Sequence, residues 1–202
     1  MNVRRTVATF ARIGAAGIMI EDQQQPKRCG HAKGKSVIPF DRAVSRIRAA
    51  CDARDELGGG RENGIVIIAR TDARAEHGLE EALKRARAFR EAGADVTFVE
   101  APRSLEELER VGRDEGSGPY KMANMLLHGH TPNLGSGKLQ EMGFALAAYP
   151  FDLMVSSIAA MNDTLKRLKA RDDDRDYAKS QVEELWDVAG FNRYYEMEKR
   201  YS

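Results

Sequence analysis

The chain has 202 residues, 42% of them apolar and 31% charged, with a formal net charge of +1. That length suits one domain with a real core, and so even a charge balance offers no basic field for nucleic acid. The longest apolar runs, such as GIVIIA at 64–69, fall far short of the roughly 18 to 20 residues of a membrane span, and no signal-peptide pattern opens the chain. A soluble intracellular protein is therefore expected, with no nucleic-acid or membrane partner.

In chain order, NVRRTVATFARIG at 2–14 reads as a helix whose stripe is Val3, Val7, Phe10 and Ile13. GIMIED at 17–22 follows as a strand. DRAVSRIRAACDARDEL at 41–57 is a helix with Asp41 as its expected N-cap and Val44, Ile47, Ala50 and Cys51 on one face. GIVIIARTD at 64–72 is the second strand, LEEALKRARAFREAG at 79–93 a helix ending at Gly93, and DVTFVEAP at 95–102 the third strand. A short helix in SLEELERV, a strand in YKMANML, a helix in SGKLQEMG and a strand in FALAAYP come next, before a long helix at 151–169.

These strands are near-continuous apolar runs, which suit strands buried on both faces of a parallel sheet. Strands alternating with helices predict an α/β fold. Glu21, Arg70, Glu100 and Asn124 each stand at the end of such a run. A (β/α) barrel gathers the C-terminal ends of its strands at one mouth, so this placement favours a barrel over a doubly wound sheet. Residues 171–202 read as a charged linker and a helical tail carrying Leu185, Trp186, Val188, Phe191, Tyr194 and Tyr195, outside a 1–170 barrel domain.

Two cysteines are too few for a disulfide framework. Cys51 lies on an apolar helical stripe and reads as packing. Cys29 stands in PKRCGHAKGK, flanked by Lys27, Arg28 and His31. Basic neighbours favour a thiolate and make a reactive thiol the better reading there. Cys29 and His31 alone are weak grounds for zinc.

The ordered set GIMIEDQQQPKRCGHAKGK, IVIIARTDA, FVEAP and KMANM followed by TP resembles the isocitrate lyase and phosphoenolpyruvate mutase superfamily, in its 2-alkylmalate lyase branch. The resemblance implies a (β/α)8 TIM barrel with a C-terminal helical extension. It also implies a homotetramer whose subunits exchange the 151–169 helix, and a small di- or tricarboxylate substrate. Magnesium, with manganese as the substitute, is the implied cofactor, and Glu21 its implied ligand. The implied activity is cleavage of a carbon–carbon bond in a 2-hydroxy dicarboxylate of 2-alkylmalate or methylisocitrate type, with phosphonomutase or oxaloacetate hydrolase as the alternatives. Cys29, His31 and Arg70 take the catalytic roles by this resemblance, and Gly30, Arg70, Glu100, Asn124 and Thr131 contact substrate.

Two departures accompany the resemblance. The family's Asp-x-Asp-x-Gly-Tyr-Gly segment, which supplies acids to the metal site, is not in these 202 residues. Five strands are visible where the barrel needs eight, so the pattern implies a partial barrel, short of about three strands at its front. Such a chain is either part of a longer enzyme, cytoplasmic or plastidic, or a catalytically incomplete interaction protein. In NMLLHGHTP, Leu127 and His128 stand where relatives commonly have Glu and Gly, and His130 where they have Lys.

Overall fold

A computed structural model describes residues 1–29, 34–118, 120–170 and 179–201. The chain divides into two compact units, Met1–Leu153 and Met154–Ser202. In the first, α1 (Asn2–Arg12) leads into β1 (Gly17–Glu21). Next come α2 (Phe40–Glu56), the single turn α3 (Gly60–Asn63), β2 (Val66–Thr71), α4 (Ala73–Glu91) and β3 (Val96–Val99). Then follow α5 (Leu105–Arg113), β4 (Lys121–Asn124), α6 (Ser136–Glu141) and β5 (Leu146–Ala148).

The five strands form one sheet in the order β1-β2-β3-β4-β5. Every neighbouring pair is parallel, with Glu21 opposite Arg70 and Arg70 opposite Phe98. Strands that pair in sequence order, each joined to the next by a helical crossover, curl in one sense. The result is a parallel half-barrel.

The helices cover the convex face in two clusters. Val7, Ala43, Ile47, Ala50, Cys51, Ile67, Ala69 and Phe89 form one under α1, α2 and α4. Leu83, Ala86, Val99, Leu108, Met125, Leu139 and Phe144 belong to the other, toward α5 and α6. Burying each large apolar side chain stabilises the fold by roughly 1.5–3 kcal/mol.

Burial on both sheet faces holds for β3, whose four residues are all buried, but not for the sheet edge. β2 alternates, with Ile67, Ala69 and Thr71 buried, while Val66 stays 39% exposed and Met19, on β1, 37%. Those two lie on the concave face, opposite the helices of this unit. The α1 stripe is also narrower than its spacing suggests: Val7 is fully buried, Phe10 is 44% and Ile13 72% exposed. Asp41 is not a cap either. Pro39 holds the N-cap position of α2, and Asp41 sits within the first turn, where its charge still favours the helix dipole.

Gly78 interrupts α4 with φ 85°, a left-handed conformation that glycine adopts without steric cost. The segment beyond it begins at Leu79, where the apolar periodicity begins. Ser104 caps α5 by accepting from the Glu107 N–H at 3.1 Å.

The helix α7 (Asp152–Lys169) runs from the end of the first unit into the second, which also holds α8 (Lys179–Val188) and α9 (Phe191–Tyr201). α8 and α9 form a hairpin, turning at Gly190 with φ 81°. Trp186 meets Phe191 edge to face at 4.5 Å between centroids across this turn. No described helix is long and apolar enough to cross a membrane.

Candidate active site

The C-terminal ends of β1 to β4 carry one polar cluster. Arg70, the penultimate residue of β2, is its centre. Its Nε donates to Asp72 Oδ2 at 2.8 Å and its Nη2 to Asp72 Oδ1 at 3.1 Å. Glu100 Oε1 lies 3.6 Å from the same Nη2, and Glu21 Oε2 lies 3.6 Å from Nε. The guanidinium also rests over the Phe98 ring, 5.3 Å from its centroid. Among the described residues, Nη1 has no hydrogen-bond partner. The side-chain fork expected to hold a substrate carboxylate is thus occupied by Asp72, which fixes the guanidinium and leaves its third nitrogen open.

The carboxylates around Arg70 are shifted in opposite directions. Burial raises the pKa of Glu100, against the pull of Arg70, Lys35 and Asn124. Burial likewise raises that of Glu21, although Arg70 and Lys27 oppose it. Asp72 goes the other way. Its burial disfavours charge, but Arg70 and Lys35 together outweigh that and hold it below the ordinary aspartate value.

Two further groups, Asp22 and Arg85, are structurally central. Asp22 is 1% exposed. It accepts from Thr71 Oγ1 at 2.7 Å, from the Asp72 N–H at 2.9 Å and from Arg85 Nη1 at 3.1 Å. Burial nonetheless raises its pKa. Arg85, 3% exposed, also donates to the Ile38 carbonyl at 2.9 Å. An arginine among Ala82, Leu83 and Ala86 on a buried helical stripe was the available signal for it, since a charge there needs a partner.

Cys29 is exposed, on a loop whose base is held by hydrogen bonds. Gln23 is 2% exposed and grips the chain at Arg28, donating to its carbonyl at 3.0 Å and accepting from its N–H at 3.1 Å. Lys27 Nζ reaches Glu21 Oε2 at 3.7 Å. Gly30 and His31 lie outside the described residues. Asn124 closes β4, and its Oδ1 is buried without a hydrogen-bond partner among the described residues; the same holds for Thr131 Oγ1. Buried polar atoms of this kind are rare unless a ligand or water serves them. The structure therefore brings Glu21, Lys27, Arg70, Glu100 and Asn124 to one end of the sheet, with Cys29 on the loop that leaves β1.

The described residues do not fit a complete divalent-cation shell. Among them no group of three or more His, Cys, Asp or Glu side chains could hold a metal ion. Glu21 offers one carboxylate, already flanked by Lys27 and Arg70, whereas magnesium is held by several oxygens.

A parallel half-barrel with charged side chains at the C-terminal strand ends defines the chain as part of a (β/α) barrel. The Phosphoenolpyruvate phosphomutase family matches residues 1–169, and the chain belongs to that family. It is 39% identical over 208 residues to carboxyvinyl-carboxyphosphonate phosphorylmutase, chloroplastic, of Arabidopsis thaliana, which covers all of this chain and 59% of the relative. The crystal structure of 2,3-dimethylmalate lyase superposes with a TM-score of 0.85 at 38% identity, over 98% of this chain and 64% of that one. Oxaloacetate acetylhydrolase in complex with 3,3-difluorooxalacetate gives a TM-score of 0.83 at 34% identity, over 98% and 65%. The chain thus spans about three fifths to two thirds of the length of these relatives.

Proposed function

We propose that this polypeptide carries the substrate-handling part of a carbon–carbon lyase acting on a 2-hydroxy dicarboxylate of 2-alkylmalate or methylisocitrate type. The observation that carries the reading is Arg70, locked by Asp72 through two nitrogens with Nη1 left open at the strand ends. A guanidinium held in one orientation receives a carboxylate with little loss of side-chain entropy. Likeness to 2,3-dimethylmalate lyase supports the choice of substrate class.

In this reading Arg70 Nη1 and the Thr131 hydroxyl receive substrate carboxylate, while the Asn124 amide and Glu100 face the reacting carbons. The hydroxyl proton leaves to a base as the carbinol oxygen becomes a carbonyl. The bond to the neighbouring carbon breaks, and its electron pair passes to that carbon and into the adjoining carboxyl group. Cys29 then gives its S–H proton to the carbon, and the thiolate left behind is reprotonated from solvent. His31 and Gly30 would complete the loop's contacts with substrate. In a magnesium- or manganese-dependent family member Glu21 would supply one carboxylate of the shell.

Release of a 2-oxo acid from 2-alkylmalates, followed by a coupled dehydrogenase, tests the reading. Turnover by the wild-type chain that is lost in Cys29→Ser is the expected result. Turnover unchanged in that variant would remove Cys29 as the proton donor. Likeness to oxaloacetate acetylhydrolase favours one second reading, hydrolysis of oxaloacetate, and oxalate formation without action on 2-alkylmalates would establish it. A chain without either activity whose melting temperature is indifferent to millimolar magnesium would instead be a non-catalytic interaction protein. The homotetramer with an exchanged 151–169 helix and the 1–170 domain boundary belong to the same proposal.

A further inference from the structure

We infer that Lys35 is a positioning residue, clipping the returning arm of the Cys29 loop to the carboxylate that orients Arg70; the inference rests on the proposed roles of Cys29 and Arg70. Lys35 Nζ donates to Asp72 Oδ1 at 2.8 Å, and the two side chains are 4% and 0% exposed. That oxygen also accepts from Arg70 Nη2. One buried atom is therefore shared by the loop and by the arginine.

The rest of the loop is built around this clip. Its two arms pair as a short antiparallel ladder at the base, where the Ile38 N–H donates to the Asp22 carbonyl and the Gln24 N–H to the Ser36 carbonyl, each at 2.9 Å. The Val37 N–H donates to Glu76 Oε2 at 2.9 Å, tying the same arm to α4. Gly34, with φ 72°, turns the returning arm inward just before Lys35, and a Cβ there would fall 2.5 Å from Arg28 Nη1. The two arms thus come into contact at Arg28 and Gly34. A lysine ammonium held out of water needs a carboxylate partner, and Asp72 at the end of β2 supplies one while the arm lies against it.

The geometry therefore couples the position of the loop to the orientation of the guanidinium. Removing the ammonium takes away this side-chain tie of the arm and leaves Asp72 Oδ1 to Arg70. A lysine that merely stabilised the fold would raise opening everywhere, whereas a clip raises it in the loop.

Amide hydrogen exchange on the full chain tests this, comparing Lys35→Met with wild type. Exchange at Gln24, Arg28, Val37 and Ile38 should quicken by about tenfold or more, with Asp95 and Thr97 unchanged, because local opening is reported separately from global unfolding. Lys35→Arg should restore the slow exchange. In ¹⁵N spectra the Arg70 Nε–H signal should shift in Lys35→Met and return in Lys35→Arg. If Lys35→Met does not fold, Lys35→Gln takes its place. Loop exchange that stays slow, or acceleration shared equally by Asp95 and Thr97, overturns the proposal. Absence of lyase turnover in the wild type would sink the lyase reading and leave the exchange result standing.

Discussion

Arg70 and Asp72 are two residues apart, yet their side chains face each other in a two-nitrogen fork at 2.8 and 3.1 Å. The turn out of β2 makes this possible, because the Asp72 N–H is held by Asp22 and Thr71 Oγ1 is bonded to the same carboxylate. Asp72→Asn would leave the Arg70 and Lys35 cations without their shared charge. Breaking a buried pair from one side costs about 3–5 kcal/mol. Urea denaturation should show a loss of that order, and a loss under about 1 kcal/mol would mean that Glu21 and Glu100 already suffice to balance the cations.

The two thiols should separate cleanly. Cys29 is exposed and Cys51 buried, and burial pushes the Cys51 pKa up to about 11. A disulfide reagent such as Ellman's should therefore titrate one thiol in the native chain and the second only on unfolding. Cys29→Ser should abolish the native reaction. Two fast thiols would contradict the packing of α2 against α4.

Glu100 gives a pH signature. Its pKa in the folded chain is raised by burial above the ordinary glutamate value of 4.5. Well below that value the residue is protonated in both folded and unfolded states and does not affect the balance. As pH rises from the ordinary value through the raised one, the unfolded chain ionises first, and stability falls. Glu100→Gln removes this titration. Melting curves should show the variant gaining on the wild type as pH increases from about 4.5, with a constant difference above the raised pKa. A gap that narrows over that interval would reverse the assigned direction.

His128 has φ 57°, in the left-handed region that costs most residues about 1–2 kcal/mol. The glycine commonly found at this position in the resembling family meets that conformation without cost. His128→Gly should raise stability by roughly 0.5–1 kcal/mol after the entropy of a freer unfolded chain is counted. Thermal unfolding followed by circular dichroism would detect it, and a destabilised variant would show that the imidazole makes contacts worth more than the strain.

Much of the scaffold was legible in the chain itself. The apolar runs at 17–22, 64–72 and 95–102 became β1, β2 and β3 because uninterrupted β-branched stretches between helical periods have one economical arrangement, the parallel crossover. Glu21, Arg70, Glu100 and Asn124 were identifiable as strand-end polar groups for the same reason: a polar residue ending such a run must leave the core or find a partner. What local pattern could not supply was the partner. Lys35 is 37 positions from Asp72 and Arg85 is 63 from Asp22, and nothing in either neighbourhood marks the pairing.

By itself the sequence determined the order of strands and helices, the set of charged residues at the strand ends and the contrast between an exposed and a packed cysteine, since all three follow from spacing and the cost of burying polar groups. Only the tertiary structure decided that Arg70 is held by Asp72 rather than standing free, and that Lys35 shares the same oxygen. It also decided that Asp22 is a buried hub. Those choices depend on which distant charges a folded backbone brings within 3 Å or so of each other out of water, where an unpaired charge cannot remain.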